Sequence, residues 1–140
     1  MIAVDTNVLL RLLIEDDPRQ TLAARELLES IFAEDEGCFV SDPVLCEIEW
    51  VLDSCYKASR ARIVEALQEL VANPHFIFVD RSAIRRALDA YRAGRADFSD
   101  YLVGSRARAQ GARATYTFDR ALRGDEGFVI LEARRKPESS

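Results

Sequence analysis

Ile2-Ala3-Val4-Asp5-Thr6-Asn7, followed at once by Val8-Leu9-Leu10-Arg11-Leu12-Leu13, decides the fold. Three apolar residues that suit a short strand end in an acid, and the leucine-rich run after them has helical spacing. Strand passing directly into helix is the start of a crossover unit, and an acid at a strand's carboxyl end lies where open α/β sheets bind ligands. Thr6 and Asn7 add short polar groups at the same strand end, suited to orient a carboxylate.

Outward from this stretch the periodicities alternate. Strands are expected at about 2–5, 38–41, 76–79, 114–118 and 127–131, and helices at about 6–14, 18–34, 43–56, 59–72, 82–93 and 98–110, with a short helix at about 119–123. Strands separated by helices imply parallel pairing. Asp17-Pro18 and Asp42-Pro43 each place a capping acid before a proline suited to the first helical position, and Gly94 and Gly111 suit helix ends. A chain of 140 residues that is 49% hydrophobic fits one domain, expected over 1–133, with a polar tail at 134–140.

Composition narrows the chemistry. No apolar run approaches the roughly 20 residues that span a bilayer, and the N-terminus reads directly into a strand, so a cytoplasmic protein is expected. Cys38, Cys46 and Cys55 are widely spaced and lack nearby histidines, which fits reduced core thiols and neither a disulfide framework nor a zinc site. The single histidine, His75, sits in turn-like Asn73-Pro74-His75-Phe76, which counts against histidine-centred acid–base chemistry. The net charge of −5 disfavours a polyanionic partner, but arginines crowd residues 85–123 while acids dominate Glu15-Asp16-Asp17 and Glu34-Asp35-Glu36. An acidic protein can therefore keep a basic face.

Four acids recur beside strands or early in helices: Asp5, Glu47, Asp100 and Asp119. Asp5 and Asp119, the latter after Ala114-Thr115-Tyr116-Thr117-Phe118, repeat one motif of strand, acid and helix; each also suits a helix cap. Glu47 and Glu49 both flank the apolar stripe Val44, Ile48, Val51 and Cys55, and Glu47, with Trp50 and Val51 as neighbours, is expected to be the drier. Asp97 suits a cap with Asp100 at its third position, and Asp100 heads a stripe of Val103, Gly104 and Ala107 suited to packing against a sheet. Carboxylates converging without a counterion would repel one another. All-oxygen donors select Mg²⁺ or Mn²⁺ over Zn²⁺, and such ions activate water and bind phosphate oxygens without a histidine.

These segments, in this order, resemble the PIN-domain ribonucleases, and most closely the VapC-type toxins of toxin–antitoxin pairs. Ile2-Ala3-Val4-Asp5-Thr6-Asn7 is similar to the family's opening strand end, and Leu45-Cys46-Glu47-Ile48-Glu49-Trp50-Val51-Leu52 to its central helix with a ligand at Glu47. Asp97-Phe98-Ser99-Asp100-Tyr101-Leu102-Val103-Gly104 resembles the D-F-A-D-A-L-I-A segment, and Thr117-Phe118-Asp119-Arg120 the T-F-D strand end. The resemblance implies one PIN-like α/β domain, a parallel sheet of about five strands in order 3-2-1-4-5, and helices on both faces. It implies Mg²⁺- or Mn²⁺-dependent cleavage of RNA, a homodimer, and a cognate antitoxin. Asp5, Glu47, Asp100 and Asp119 would hold the metal, with Thr6, Asn7 and Thr117 orienting them and Asp97 as a further ligand; Arg95, Arg106 and Arg120 would engage phosphates.

Three other readings compete. An aspartyl phosphatase would carry a second acid where Asn7 stands, and a receiver-like module built on Val79-Asp80 would need a lysine after a late strand, whereas the chain has only Lys57 and Lys136. A catalytically weak PIN-like module that binds RNA or a partner differs only in activity.

Overall fold

A computed structural model describes residues 1–137. In chain order it contains β1 (Ile2–Ala3), α1 (Thr6–Leu13), α2 (Pro18–Ala33), β2 (Cys38–Phe39), α3 (Asp42–Ser54), α4 (Arg60–Ala72) and β3 (Phe76–Ile77). There follow α5 (Arg81–Ala93), α6 (Phe98–Ala109), β4 (Thr115–Thr117), a 3-10 turn (Arg120–Leu122) and β5 (Phe128–Ile130). Every expected element is present, with the strands shorter than expected. Residues 134–137 of the expected tail are exposed and carry no regular structure, and 138–140 lie outside the described residues.

All strand pairing is parallel, as the alternating pattern requires. The sheet order departs from the expectation. β1, β2 and β3 form one sheet with β2 central, and β4 and β5 form a second; β1 and β4 are not hydrogen-bonded neighbours, so the expected order 3-2-1-4-5 divides into 3-2-1 and 4-5. Side-chain period reports which face of a strand is buried, not which backbone it meets, and β4 gives its ladder to β5 alone. The first sheet extends beyond its formal ends, since the Val4 amide donates to Phe39 O (3.3 Å) and the Val40 amide to Ile77 O (2.9 Å).

One core joins these elements. Leu9, Leu45, Ile48, Ile63, Leu67, Ile84, Leu88 and Phe98 are fully buried, drawn from five helices. Asp17 caps α2 through the Gln20 amide, with Pro18 opening the helix as expected. At α3 the cap differs: Ser41 takes the boundary position and Asp42 is the first helical residue, because its carboxylate pairs with Arg106 Nε at 3.0 Å. Gly104 brings α6 onto β5, for a Cβ there would lie 2.4 Å from Phe128 Cζ. Its stripe partner Val103 instead faces solvent, 60% exposed, so only part of the expected stripe packs on the sheet. Cys38 is buried and Cys46 half-buried, but Cys55 is exposed at the end of α3 and is no core thiol.

Between α5 and α6 the chain is pinned by Tyr101. Its hydroxyl donates to Asp125 Oδ2 (2.7 Å) and accepts from the Arg95 amide (3.2 Å), while its ring is 2% exposed. Gly94 permits this approach, since a Cβ there would fall 1.8 Å from the Tyr101 hydroxyl. Gly94→Ala is therefore expected to destabilise the fold by about 1–3 kcal/mol through forced repacking. A urea midpoint equal to that of the parent chain would show that Tyr101 moves aside freely.

Candidate active site

Asp5, Asp100 and Asp119 each sit just past a strand or in the first turn of a helix for a local reason, and Glu47 lies within α3. Asp5 leaves β1 with extended backbone and caps α1, its Oδ1 accepting from the Val8 amide at 3.4 Å. The next side chain points inward: Thr6 is buried and its hydroxyl donates to Glu47 Oε2 at 2.6 Å, the short distance of a charge-assisted bond. This bond joins the end of β1 to α3 and fixes one Glu47 oxygen. Asn7 is exposed.

The other two acids lie in the first turn of α6 and just past the end of β4. Asp100 lies in the first turn of α6 and its Oδ2 accepts from the Asp97 amide at 3.3 Å, the backward half of a capping box. Asp119 caps the 3-10 turn through the Ala121 amide (2.9 Å), while its own amide donates to Thr117 Oγ1 (3.0 Å). Thr117 thus shapes the backbone that presents Asp119. Burial lifts the Asp100 carboxyl above the usual carboxylate range; the Asp97 amide opposes this, and the charges of Asp119 and Asp97 add to it.

The set falls into two linked pairs, Asp5 with Glu47 through Thr6, and Asp100 with Asp119 through their fields. Cys46 connects them. On α3 beside Glu47, its thiol is pushed up to about 11 by burial, then by Asp42, Glu49 and Asp100, so it stays protonated and is no nucleophile at neutral pH. Among the described residues no three His, Cys, Asp or Glu side chains stand close enough together to hold an ion as they are. The donor chemistry nevertheless fits a hard cation, being all oxygen, with one carboxyl raised by burial and then by its acidic neighbours.

α3 reverses one expectation. Glu47 is exposed, whereas Glu49 is 5% exposed and in register with the buried Leu45 and Leu52. Glu49 Oε1 accepts weakly from the Phe98 amide at the start of α6 (3.5 Å), and burial raises its carboxyl above the usual range. It steadies the turn that carries Asp97 and Asp100, a role its spacing of four from Leu45 and three from Leu52 would have revealed. The arginines divide. Arg106 is committed to Asp42 (3.0 Å) and Asp80 (3.8 Å), Arg120 is 80% exposed with Glu132 at 3.7 Å, and Arg95 is exposed with no ion pair among the described residues. His75 stacks on Phe32, centroids 4.5 Å apart, at the start of β3.

The PIN domain family model matches residues 2–124, from β1 through the 3-10 turn. A VapC ribonuclease of Aquifex aeolicus (strain VF5) is 27% identical over 121 residues, covering 86% of this chain and 88% of that protein. No solved structure gives a significant match. The chain belongs to the PIN domain family. No helix among the described residues is long and apolar enough to cross a membrane.

The strained carboxyl gives a prediction for the metal-free protein. A carboxyl whose folded pKa is raised destabilises the fold when ionised, fully above the raised value and not at all below the ordinary carboxylate range. Asp100→Asn, which keeps an acceptor for the Asp97 amide, is therefore expected to raise the urea midpoint in chelator at neutral pH. The gain should shrink as pH falls through the raised pKa. A variant less stable at neutral pH would show that capping outweighs repulsion.

Proposed function

We propose that this protein is a divalent-metal-dependent endoribonuclease, the toxin of a toxin–antitoxin pair, with its nuclease domain over residues 1–133. The observation that supports the reading is that Asp5 and Asp119 follow β1 and β4, Asp100 lies in the first turn of α6, and Glu47 is tied to the end of β1 by Thr6, in a chain of the PIN family. The similarity to a protein named VapC ribonuclease supports RNA as substrate. A cytoplasmic homodimer restrained by a cognate antitoxin completes the proposal.

In this reading Asp5, Glu47, Asp100 and Asp119 hold Mg²⁺ or Mn²⁺, directly or through water, and Asp97 is a further ligand. When bound, the ion would activate water and stabilise charge on the phosphodiester. The chain's own residues position. Thr6 holds Glu47 through its hydroxyl, the Asp97 amide holds Asp100, and Thr117 holds the Asp119 backbone. Asn7 stands beside them at the β1 end. Arg95 and Arg120, exposed near Asp100 and Asp119, engage phosphates of the strand, whereas Arg106 has its charge occupied by Asp42 and Asp80.

One observation favours a second reading, a PIN-like module that binds RNA or a partner without cutting: no three acids converge among the described residues. One experiment separates the two. Purified, antitoxin-free protein is incubated with total cellular RNA in Mg²⁺, in Mn²⁺ and in chelator, and new 5′ ends are mapped. Discrete cuts that need metal are expected. Thr6→Val should lower the rate by about 10–100-fold, as loss of a ligand-orienting group does, and Asp5→Asn by more, with both folds retained. Metal-independent cutting, or full activity in Asp5→Asn, would overturn the assignment; a folded, metal-bound protein that cuts nothing would leave the binding module.

A further inference from the structure

The chain has one tryptophan, four tyrosines and seven phenylalanines, and only Trp50, Tyr56, Tyr116 and Phe118 among them are exposed. Tyr56 is engaged at its hydroxyl, which donates to Asp16 Oδ2 at 2.9 Å. The other three are 60%, 59% and 67% exposed, and each stands within three residues of Glu47 or Asp119. Their placement follows from the elements. Trp50 lies three residues beyond Glu47 on α3. Tyr116 is turned outward by the period of two that places Thr115 and Thr117 inward on β4, and Phe118 fills the step between Thr117 and Asp119. α3 is in contact with α6, α6 packs through Gly104 on Phe128 of β5, and β5 pairs with β4, so the elements that carry Glu47, Asp100 and Asp119 adjoin and the outer two bear exposed rings.

Large rings left in water forgo the stabilisation that burial confers, and a concentration of them at one place marks a binding surface. Resting on the nuclease reading, we propose that Trp50, Tyr116 and Phe118 are stacking platforms for unpaired nucleobases flanking the cleaved phosphodiester. Flat aromatic faces recognise bases splayed from single-stranded RNA, as they cannot when bases are paired and stacked in a duplex. The charges around them agree with a nucleic acid strand: Arg95 carries no ion pair among the described residues, and Arg120, 80% exposed, follows Asp119 directly. Base faces meet the rings while phosphates meet Arg95 and Arg120.

The test works without cleavage. A fluorescein-labelled single-stranded RNA oligonucleotide and an abasic strand of equal length are titrated with the full chain in chelator. Stacking adds roughly tenfold in affinity per engaged ring, so the base-bearing strand should bind by that factor or more over the abasic one. Trp50→Leu and Phe118→Leu, which keep apolar bulk, should each lose about that factor while the affinity for the abasic strand is unchanged. As the chain's single tryptophan, Trp50 should be quenched by the base-bearing strand and not by the abasic one. Equal affinity for the two strands, or binding to neither, overturns the proposal. So does a base preference that survives both substitutions while sedimentation shows a dimer falling to monomer, which would make the rings a protein interface. A protein that cuts RNA without base preference sinks this inference alone; one that prefers bases but never cuts in Mg²⁺ or Mn²⁺ sinks the nuclease reading alone.

Discussion

The hydrogen bond from the Thr6 hydroxyl to Glu47, 2.6 Å across residues 41 apart in sequence, is the tie on which the candidate site depends. It fastens the end of β1 to α3 from inside the protein, where Thr6 is buried, and so sets the direction in which Glu47 leaves its helix. A neutral hydroxyl satisfies one carboxylate oxygen without cancelling its charge. The same economy recurs on the other side, where amides and not cations hold Asp100 and Asp119. Acids positioned by neutral donors keep their negative charge for something else.

That arrangement has an electrostatic cost the protein leaves uncompensated. Asp100 is partly buried, faces Asp119 and Asp97, and its carboxyl is raised accordingly. Arg106, on the same helix as Asp100, is turned to Asp42 and Asp80. Carboxylates left without a cation repel one another, and burial adds to that cost. α3 shows the same division within one helix: Glu49 turns inward to the Phe98 amide and steadies α6, while Glu47, two residues earlier, stays at the surface beside the strand ends. One face of the helix builds the scaffold, and the adjoining one presents Glu47 at the surface.

Most of this was open to reading from the residues, because each helix is announced by spacing and by local capping chemistry. Asp17-Pro18 and the acid-to-helix steps at Asp5 and Asp119 need nothing beyond their neighbours in sequence. What escaped depends on distant partners. Asp42 reads as a cap until Arg106, on another helix, claims its carboxylate. Glu49 shares helical spacing with Leu45 and Leu52, but the Phe98 amide that it meets on the buried side lies on another helix. The separation of β4 and β5 from the first sheet was likewise beyond reach, since periodicity carries no record of which backbone a strand meets. The exposure of Trp50, Tyr116 and Phe118, which reads as ordinary apolar patterning, gains meaning only once the elements that carry the acids adjoin.

The central claim is that these four carboxylates together hold a divalent cation. A crystal grown with Mn²⁺ and measured for anomalous scattering tests it most directly. The account predicts a peak between Asp5 and Asp100, with carboxylate oxygens at the roughly 2.0–2.6 Å that hard cations keep to oxygen, and with Glu47 or Asp119 bound directly or through water. A well-ordered crystal in excess Mn²⁺ with no peak among these acids, or with the ion held elsewhere, would contradict it.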